Sequence, residues 1–194
     1  MDDFIASIDM EFFADKDCEN LLLAQNYALL LVQKGSASIT VNNKKVLLCS
    51  PGLFVKGGNT NIEKISFRGF RGQCICFSAS FLDKRITQSM IESGEYDCIY
   101  DEYGWPPLHV FRQGYKLFSI TAKEAEGFGG VFCRLEQTAG SRPRPRWEFR
   151  TKLYLKILLE MLNQKHLAYQ KDAKNLLELE DMDARIEFTV KKLQ

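Results

Sequence analysis

The sequence has 194 residues, of which 45% are hydrophobic and 12% aromatic, and its formal net charge is +1. Length and composition predict one globular domain, with an appendage at most, and they exclude a largely disordered chain. The near-neutral charge disfavours a main role in gripping a nucleic-acid backbone, because such domains usually carry a basic excess.

The sequence offers neither an export signal nor a membrane span. No apolar run is long enough to cross a bilayer, and the segment MDDFIASIDMEFF has acids where a signal peptide needs basic residues. We therefore predict a cytoplasmic protein without a membrane partner. The six cysteines form no C-x-x-C pair. Cys74 and Cys76 share one face of a predicted strand, which favours buried thiols over disulfides or a metal pair.

The first third of the chain is rich in strand patterns. The run ALLLV at 28–32 is continuously apolar, as in a strand that is covered on both faces. After Gly35 the pattern alternates strictly, with Ala37, Ile39 and Val41 on one face. Asn42-Asn43 predicts a tight turn, because asparagine tolerates positive φ. Further short strands are predicted over VLLC, LFVK, IEKISF and QCICFS, which together indicate an antiparallel sandwich or barrel.

Helical patterns begin later. Ser80 to Ser93 predicts a helix that ends at Gly94, and LHVFRQ at 108–113 predicts a last strand. Thr121 and Glu124 have the spacing of a capping box. The helix that they open has an apolar stripe and is weakened by its glycines unless close packing requires them. The stripe consists of Ala125, Phe128, Phe132 and Leu135, and the glycines are Gly127, Gly129 and Gly130.

The clearest helix pattern runs from Trp147 to Gln164 and is apolar around more than one face. Two interpretations stay open: a helix buried within one domain, or a helix with one face in a dimer seam. The seam would use Leu155, Leu158, Leu159 and Leu162, together with Phe128. The polar stretch from Lys165 to Lys174 predicts a linker. The last helical pattern reaches residue 194 without a cap, which predicts that something follows it.

The order of these features resembles the N-terminal half of AraC-type transcription regulators. YALLLVQKGSASITVNNKKVLLCSPGLFV is similar to that family's succession of apolar strand, glycine, alternating strand, turn and Pro-Gly. CICFSASFLDKRI is similar to the strand that closes the family's barrel and leads into a helix. The resemblance implies an α+β fold: a cupin-like antiparallel β-barrel or jelly roll over 1–115, a helical dimerisation segment over 116–166, and a linker with the start of a DNA-binding domain over 167–194.

The resemblance also implies partners. A small-molecule effector would bind in the barrel, two chains would form a homodimer, and DNA would be bound only through a domain beyond residue 194. The chain departs from the family in LFVKGGNTNIEK, which lacks the proline-rich turn and the histidine that members often carry. His109 and His166 are the only histidines, and neither lies in the hairpin. Since a metal needs three or four converging ligands, we expect no metal and no cofactor.

Four residues are candidates for ligand contacts. Lys34 matches the position at which a sugar-sensing member of the family carries an arginine, although a solvated lysine is the alternative. Phe12 is a candidate for an N-terminal arm over the barrel mouth, or else for core packing. Trp105 lies between Gly104 and Pro106 and is a candidate stacking platform in a loop. Arg68 is either a ligand contact or part of an exposed strand edge.

A basic run and the acidic residues of the strand patterns also bear on function. The basic run in SRPRPRW and beyond it favours a solvated connector over a nucleic-acid site, because the prolines keep the charges apart; it comprises Arg142, Arg144, Arg146, Arg150 and Lys152. The rival functions are a stand-alone cupin-like module that binds a small molecule or carbohydrate, and a metal-independent cupin enzyme. An enzyme needs an acid–base pair in the lumen, and Glu63 is the obvious acid in the strand patterns after Pro51.

Overall fold

The computed structural model describes the backbone of residues 4–9, 27–112, 114–139 and 146–192, and the side chains of 27–112, 114–138 and 146–173. The strands are β1 Phe4–Asp9, β2 Tyr27–Val41, β3 Lys44–Cys49, β4 Gly52–Lys56, β5 Ile62–Phe77 and β6 Tyr115–Ser119. The helices are α1 Ala79–Leu82, α2 Gln88–Ser93, α3 Tyr96–Tyr103, α4 Ala122–Ala139 and α5 Trp147–Lys192, with a 3-10 turn at His109–Phe111.

The described strands form one curled antiparallel sheet in the order β1-β5-β2-β4-β6, with β3 also paired to β2. Strands β2 and β5 pair along their whole length, from Tyr27 opposite Phe77 to Val41 opposite Ile62. The other edge of β2 pairs first with β4 and then with β3. The sheet therefore curls about the β2–β5 pair into a half-barrel, and the predicted α+β class with an antiparallel curled sheet is confirmed.

A bulge at Gly35 makes the curl possible. The β2–β5 register shifts between Val32 and Lys34 and again between Lys34 and Ser36. Gly35 has φ +75, and a Cβ there would lie 2.2 Å from the carbonyl oxygen of Gly69, so only glycine fits. The bulge also changes which alternate residues face inward. Even-numbered residues of β2 face inward before it and odd-numbered residues after it, in one cluster made of Ala28, Leu30, Val32, Ala37, Ile39 and Val41.

The sheet separates two apolar cores. The helix-side core packs Tyr27, Leu29 and Leu31 of β2 against the helices. The inner core fills the half-barrel from the opposite face of the same strand. Residues 28–32 are thus buried on both faces, as their continuous apolar run predicts. The predicted turn is also confirmed, since Asn42 and Asn43 have φ values of 49 and 61.

Two predicted elements between the sheet and the long helices are wrong in detail. Residues 80–93 form two short helices, because Ser78 caps the first and Thr87 caps the second through the Met90 N–H at 3.3 Å. The second helix ends at Gly94 as predicted. Residues 108–112 are not a strand. His109–Phe111 is a 3-10 turn, and the last described strand is β6, which pairs with β4.

Helix α4 begins at the predicted capping box. The Thr121 N–H donates to Glu124 Oε2 at 2.6 Å, and the Glu124 N–H donates to Thr121 Oγ1 at 3.2 Å. One of the helix's glycines has a packing reason. A Cβ at Gly129 would lie 2.6 Å from Gln33 Nε2, because α4 passes close over β2 at this point.

Helix α5 is much longer than predicted and runs through the whole of the predicted linker, Lys165 to Lys174. The stretch KHLAYQKDAK contains no proline or glycine and several strong helix formers, so nothing in it stops the helix. His166 is also buried, so α5 still packs against the rest of the chain at this point. Among the described helices, none is long and apolar enough to span a membrane.

Candidate functional site

The inner face of the half-barrel is apolar and buried. Its buried residues come from β2 to β5, and the rings of Phe54 and Tyr115 stack across β4 and β6 at 5.8 Å. Cys74 and Cys76 both lie in this inner cluster, so their predicted placement on one face is confirmed. Cys18 lies outside the described residues.

Lys56 brings an amine to this apolar face. It lies two residues after Phe54 on β4 and opposite both Ala28 and Tyr115, which places it on the inner side. It is fully buried. Burial lowers the pKa of Lys56, and the nearby thiols of Cys76 and Cys74 act in the opposite direction. Lys56 was not among the residues predicted from the sequence, although the alternation of β4 from Phe54 was a signal that could have identified it.

Two of the predicted ligand residues lie near the bulge. Lys34 lies opposite Arg71, and Ser36 lies opposite Arg68, so adjacent strands bring these cations to the same stretch of the sheet. Arg68 follows Phe67 of the inner cluster, so strand alternation places it on the other face of the sheet. Lys34 and Arg68 are both exposed. We call the pair of Lys34 and Arg68 the basic rim. Its exposure agrees with the alternatives of a solvated lysine and an exposed strand edge, and it leaves both side chains accessible to a solute.

Of the other two predicted ligand residues, one lies elsewhere in the fold and the other is not described. Trp105 does lie in a loop after Gly104, but it is only 9% exposed and packs into the helix-side core. It is therefore a core residue, and its prediction as an open stacking platform is corrected, because the loop after α3 folds back onto the helices. Phe12 lies outside the described residues.

The predicted dimer residues also belong to the core. The side chains of five residues are between 0 and 2% exposed within the single chain, namely Phe128, Leu155, Leu158, Leu159 and Leu162. This corrects their assignment to a surface seam. Helix α5 turns its leucines toward α4 and the sheet, since both supply apolar partners within the same helix-side core.

A different apolar stripe on α5 faces solvent. Phe149 is 69% exposed, Leu153 48% and Ile157 41%. These positions are four residues apart and therefore form one line along the helix. Beside the line lies a groove of about 490 Å³ whose lining includes Arg134, Arg150 and Tyr154. We call Phe149, Leu153 and Ile157 the exposed stripe.

The basic connector is described only at its end. Arg146 and Arg150 are exposed, whereas Lys152 forms an ion pair with Glu148 at 3.0 Å and lies over the Phe81 ring. Arg142 and Arg144 lie outside the described residues. The described part thus contains two exposed arginines and one lysine that is engaged within the chain.

The chain's two histidines lie together, away from the inner face. The rings of His109 and His166 are 4.9 Å apart. Burial lowers the pKa of both, and that of His166 falls to about 4 because His109 and Lys116 add to the effect. Across the described residues, no group of three or more His, Cys, Asp or Glu side chains could hold a metal ion.

Comparison with known proteins gives only weak likenesses. No protein-family model matches the sequence, and no curated protein matches it. Among solved structures, ToxT from Vibrio cholerae with a bound unsaturated fatty acid is similar at a TM-score of 0.38 and 13% identity, over 74% of this chain and 48% of that chain.

Two further ToxT structures from Vibrio cholerae are similar to the same degree. One has a TM-score of 0.38 and 11% identity. The other, bound to (E)-4-(8-methylnaphthalen-1-yl)but-3-enoic acid, has a TM-score of 0.38 and 12% identity. In both, the match covers 75% of this chain and 51% of that chain. The chain thus spans about half the length of these structures, and TM-scores this low do not establish a common fold.

Proposed function

We propose that this chain is the effector-binding and dimerisation part of an AraC-type transcription regulator. The observation that carries the proposal is the order of the two parts of the molecule. A curled antiparallel sheet comes first and is followed by two long helices, α4 and α5, that pack against each other. This is the order that the sequence resemblance implies, with a container for a small molecule ahead of a helical seam.

The effector would bind at the concave side of the half-barrel. Small-molecule sites are mainly apolar and contain a few polar groups that fix orientation. Here the apolar part is the inner face, and the polar groups are the two cations of the basic rim beside it and the amine of Lys56. These groups favour an effector with a carboxylate or another anionic oxygen.

The exposed stripe supports a homodimer. Phe149, Leu153 and Ile157 leave a line of apolar surface on α5 in contact with water. Burying each of them against a second copy would contribute about 1–2 kcal/mol. A two-fold axis across α5 would bring the same stripe of both copies together, as in most homodimers.

Helix α5 would transmit effector binding to the DNA-binding domain. The helix carries the exposed stripe near its start and continues to Lys192, so it leads from the proposed dimer seam toward the C-terminal end. A change in how α5 lies on the sheet would shift a DNA-binding domain that follows residue 194. The effector can change DNA affinity only by the difference in its own affinity for the two arrangements.

The regulator proposal is tested with the natural gene product. We expect gel-retardation assays to show binding to DNA upstream of its own gene, with an affinity that changes when an effector is added. We expect Leu153→Asp to weaken binding to paired half-sites, whereas Leu167→Asp, on an exposed residue outside the stripe, serves as the matched control. A gene product that binds no upstream DNA under any condition contradicts the proposal.

The effector site is tested separately on this chain. We expect a thermal-shift screen of small carboxylates to find compounds that raise the melting temperature of the unchanged protein. The double variant Lys34→Ala with Arg68→Ala should lose that shift, because it removes the basic rim. The exposed Lys45→Ala variant is the control and should keep it. An equal loss in both variants would mean that the rim has no specific role.

A further inference from the structure

A second cavity lies outside the half-barrel, between β6 and α5. Its volume is about 550 Å³, and its lining includes Lys116 and Phe118 of β6 and His166, Tyr169 and Gln170 of α5. Cavities of this size commonly hold small molecules. Strand β6 is the edge of the described sheet next to β4, so no described strand covers its other side.

The walls of this cavity are aromatic. The ring of Phe118 lies edge-on to Tyr169 at 5.8 Å and to His166 at 6.0 Å. Tyr169 is 57% exposed although it belongs to this ring cluster. An aromatic ring placed beside Phe118 and Tyr169 would add edge-to-face or offset contacts, which contribute beyond simple burial.

His166 is a buried polar group in the same lining. It is 5% exposed, and its Nδ1 has no hydrogen-bond partner. Its Nε2 lies 3.1 Å from the Gln170 amide nitrogen, which can only donate, so Nε2 accepts and the ring proton is on Nδ1. A buried donor without a partner is costly to the fold. A bound molecule that accepts a hydrogen bond from this donor would remove that cost.

Lys116 gives the cavity its positive charge. The pKa of His166 is lowered to about 4 by burial, with His109 and Lys116 adding to the effect, so the imidazole is neutral near pH 7. The cavity therefore combines one ammonium group, one neutral imidazole and aromatic walls. This combination complements a planar apolar body with a single negative charge.

We propose that the cavity between β6 and α5 is a binding site for an aromatic monocarboxylate, with the carboxylate on Lys116 and the ring against Phe118 and Tyr169. The occupant touches both the sheet and the long helix, and so it holds α5 in one position on the sheet. Binding stands on this geometry alone. Only its role as an effector site rests on the proposed regulatory function.

The site is tested with 2-naphthoate and the full chain by isothermal titration calorimetry. We expect saturable binding of 2-naphthoate and binding of the uncharged 2-naphthamide that is about tenfold weaker, because the amide lacks the charge that Lys116 recognises. Lys116→Met should weaken the acid by about tenfold and leave the amide unchanged. No saturable binding of 2-naphthoate, or equal affinity for acid and amide, would overturn the proposal.

Two exposed positions on α5 distinguish specific binding in this cavity from nonspecific binding. Tyr169→Ala should weaken 2-naphthoate binding by about tenfold, because it removes one aromatic wall. Leu167→Ala changes a residue of similar exposure, 51%, that does not line the cavity, and should have no effect. Equal losses in the two variants would contradict the site. The basic-rim variants should keep full binding, which distinguishes this cavity from the half-barrel.

Discussion

Helix α5 has two apolar faces, of which one is buried and the other is exposed to solvent. One face consists of Leu155, Leu158, Leu159 and Leu162 in the helix-side core, with the buried polar residues Thr151 and His166 at its two ends. The other is the exposed stripe of Phe149, Leu153 and Ile157, which has comparable hydrophobicity and remains in contact with solvent. The comparison shows that hydrophobic content identifies a helix with two apolar faces, whereas the position of α4 and the sheet decides which one is interior.

The largest difference between the two faces is expected from truncating a leucine. Leu158→Ala removes a fully buried side chain and should lower the free energy of unfolding by about 2–5 kcal/mol, because a cavity remains. Ile157→Ala, on the neighbouring exposed residue, should change it by less than about 1 kcal/mol under monomeric conditions. Urea unfolding at low protein concentration measures both values. Similar losses for the two variants would contradict the assignment of the faces.

The polar end of the buried face should make stability depend on pH. The pKa of His166 is about 4 in the folded chain against an ordinary 6.5. Between these values the unfolded chain binds more protons, so stability is complete above about pH 6.5 and is lost as the pH falls toward about 4. We expect a loss of about 2 kcal/mol between about pH 7 and about pH 5.

Urea unfolding at several pH values measures this loss. His109 lies against His166, and its pKa is lowered as well, so it contributes in the same direction. The variant His166→Phe keeps a ring in the same place and should flatten the pH dependence. An unchanged slope in that variant would show that His166 is not the group responsible.

A smaller effect on stability is expected at the N-terminal cap of α4. Thr121→Ala removes the hydroxyl that accepts from the Glu124 N–H, and should cost about 1 kcal/mol of unfolding free energy. Thr121→Ser keeps an oxygen in place and should cost much less. Thermal or urea unfolding of the two variants gives the comparison. Equal losses would mean that the hydroxyl does not cap α4.

The smallest effect on the folded chain is expected at the exposed stripe. Leu153→Asp should change the unfolding free energy of the monomer by less than about 1 kcal/mol, since the residue is 48% exposed. Its effect should appear instead in sedimentation equilibrium, where the unchanged protein is expected as a dimer and the variant as a monomer. A variant that remains dimeric would place the seam elsewhere.

Much of the sheet could be predicted because its signals are local. Alternation from Ala37 to Val41 and the two asparagines of the turn specify their conformation within a few residues. The capping box of α4 is equally local, since Thr121 and Glu124 are three residues apart. The candidate site was harder to predict, because only the pairing of β2 with β5 brings the two cations of the basic rim to the same stretch of the sheet.

The sequence by itself determined the succession of elements: paired strands around Gly35, a capped helix from Thr121 and a long leucine-rich helix from Trp147. Only the tertiary structure decided that Trp105 and the leucines of α5 are interior and that His109 meets His166. The physical reason is distance along the chain. Backbone preferences act between neighbouring residues, whereas burial depends on which remote surface packs against each side chain.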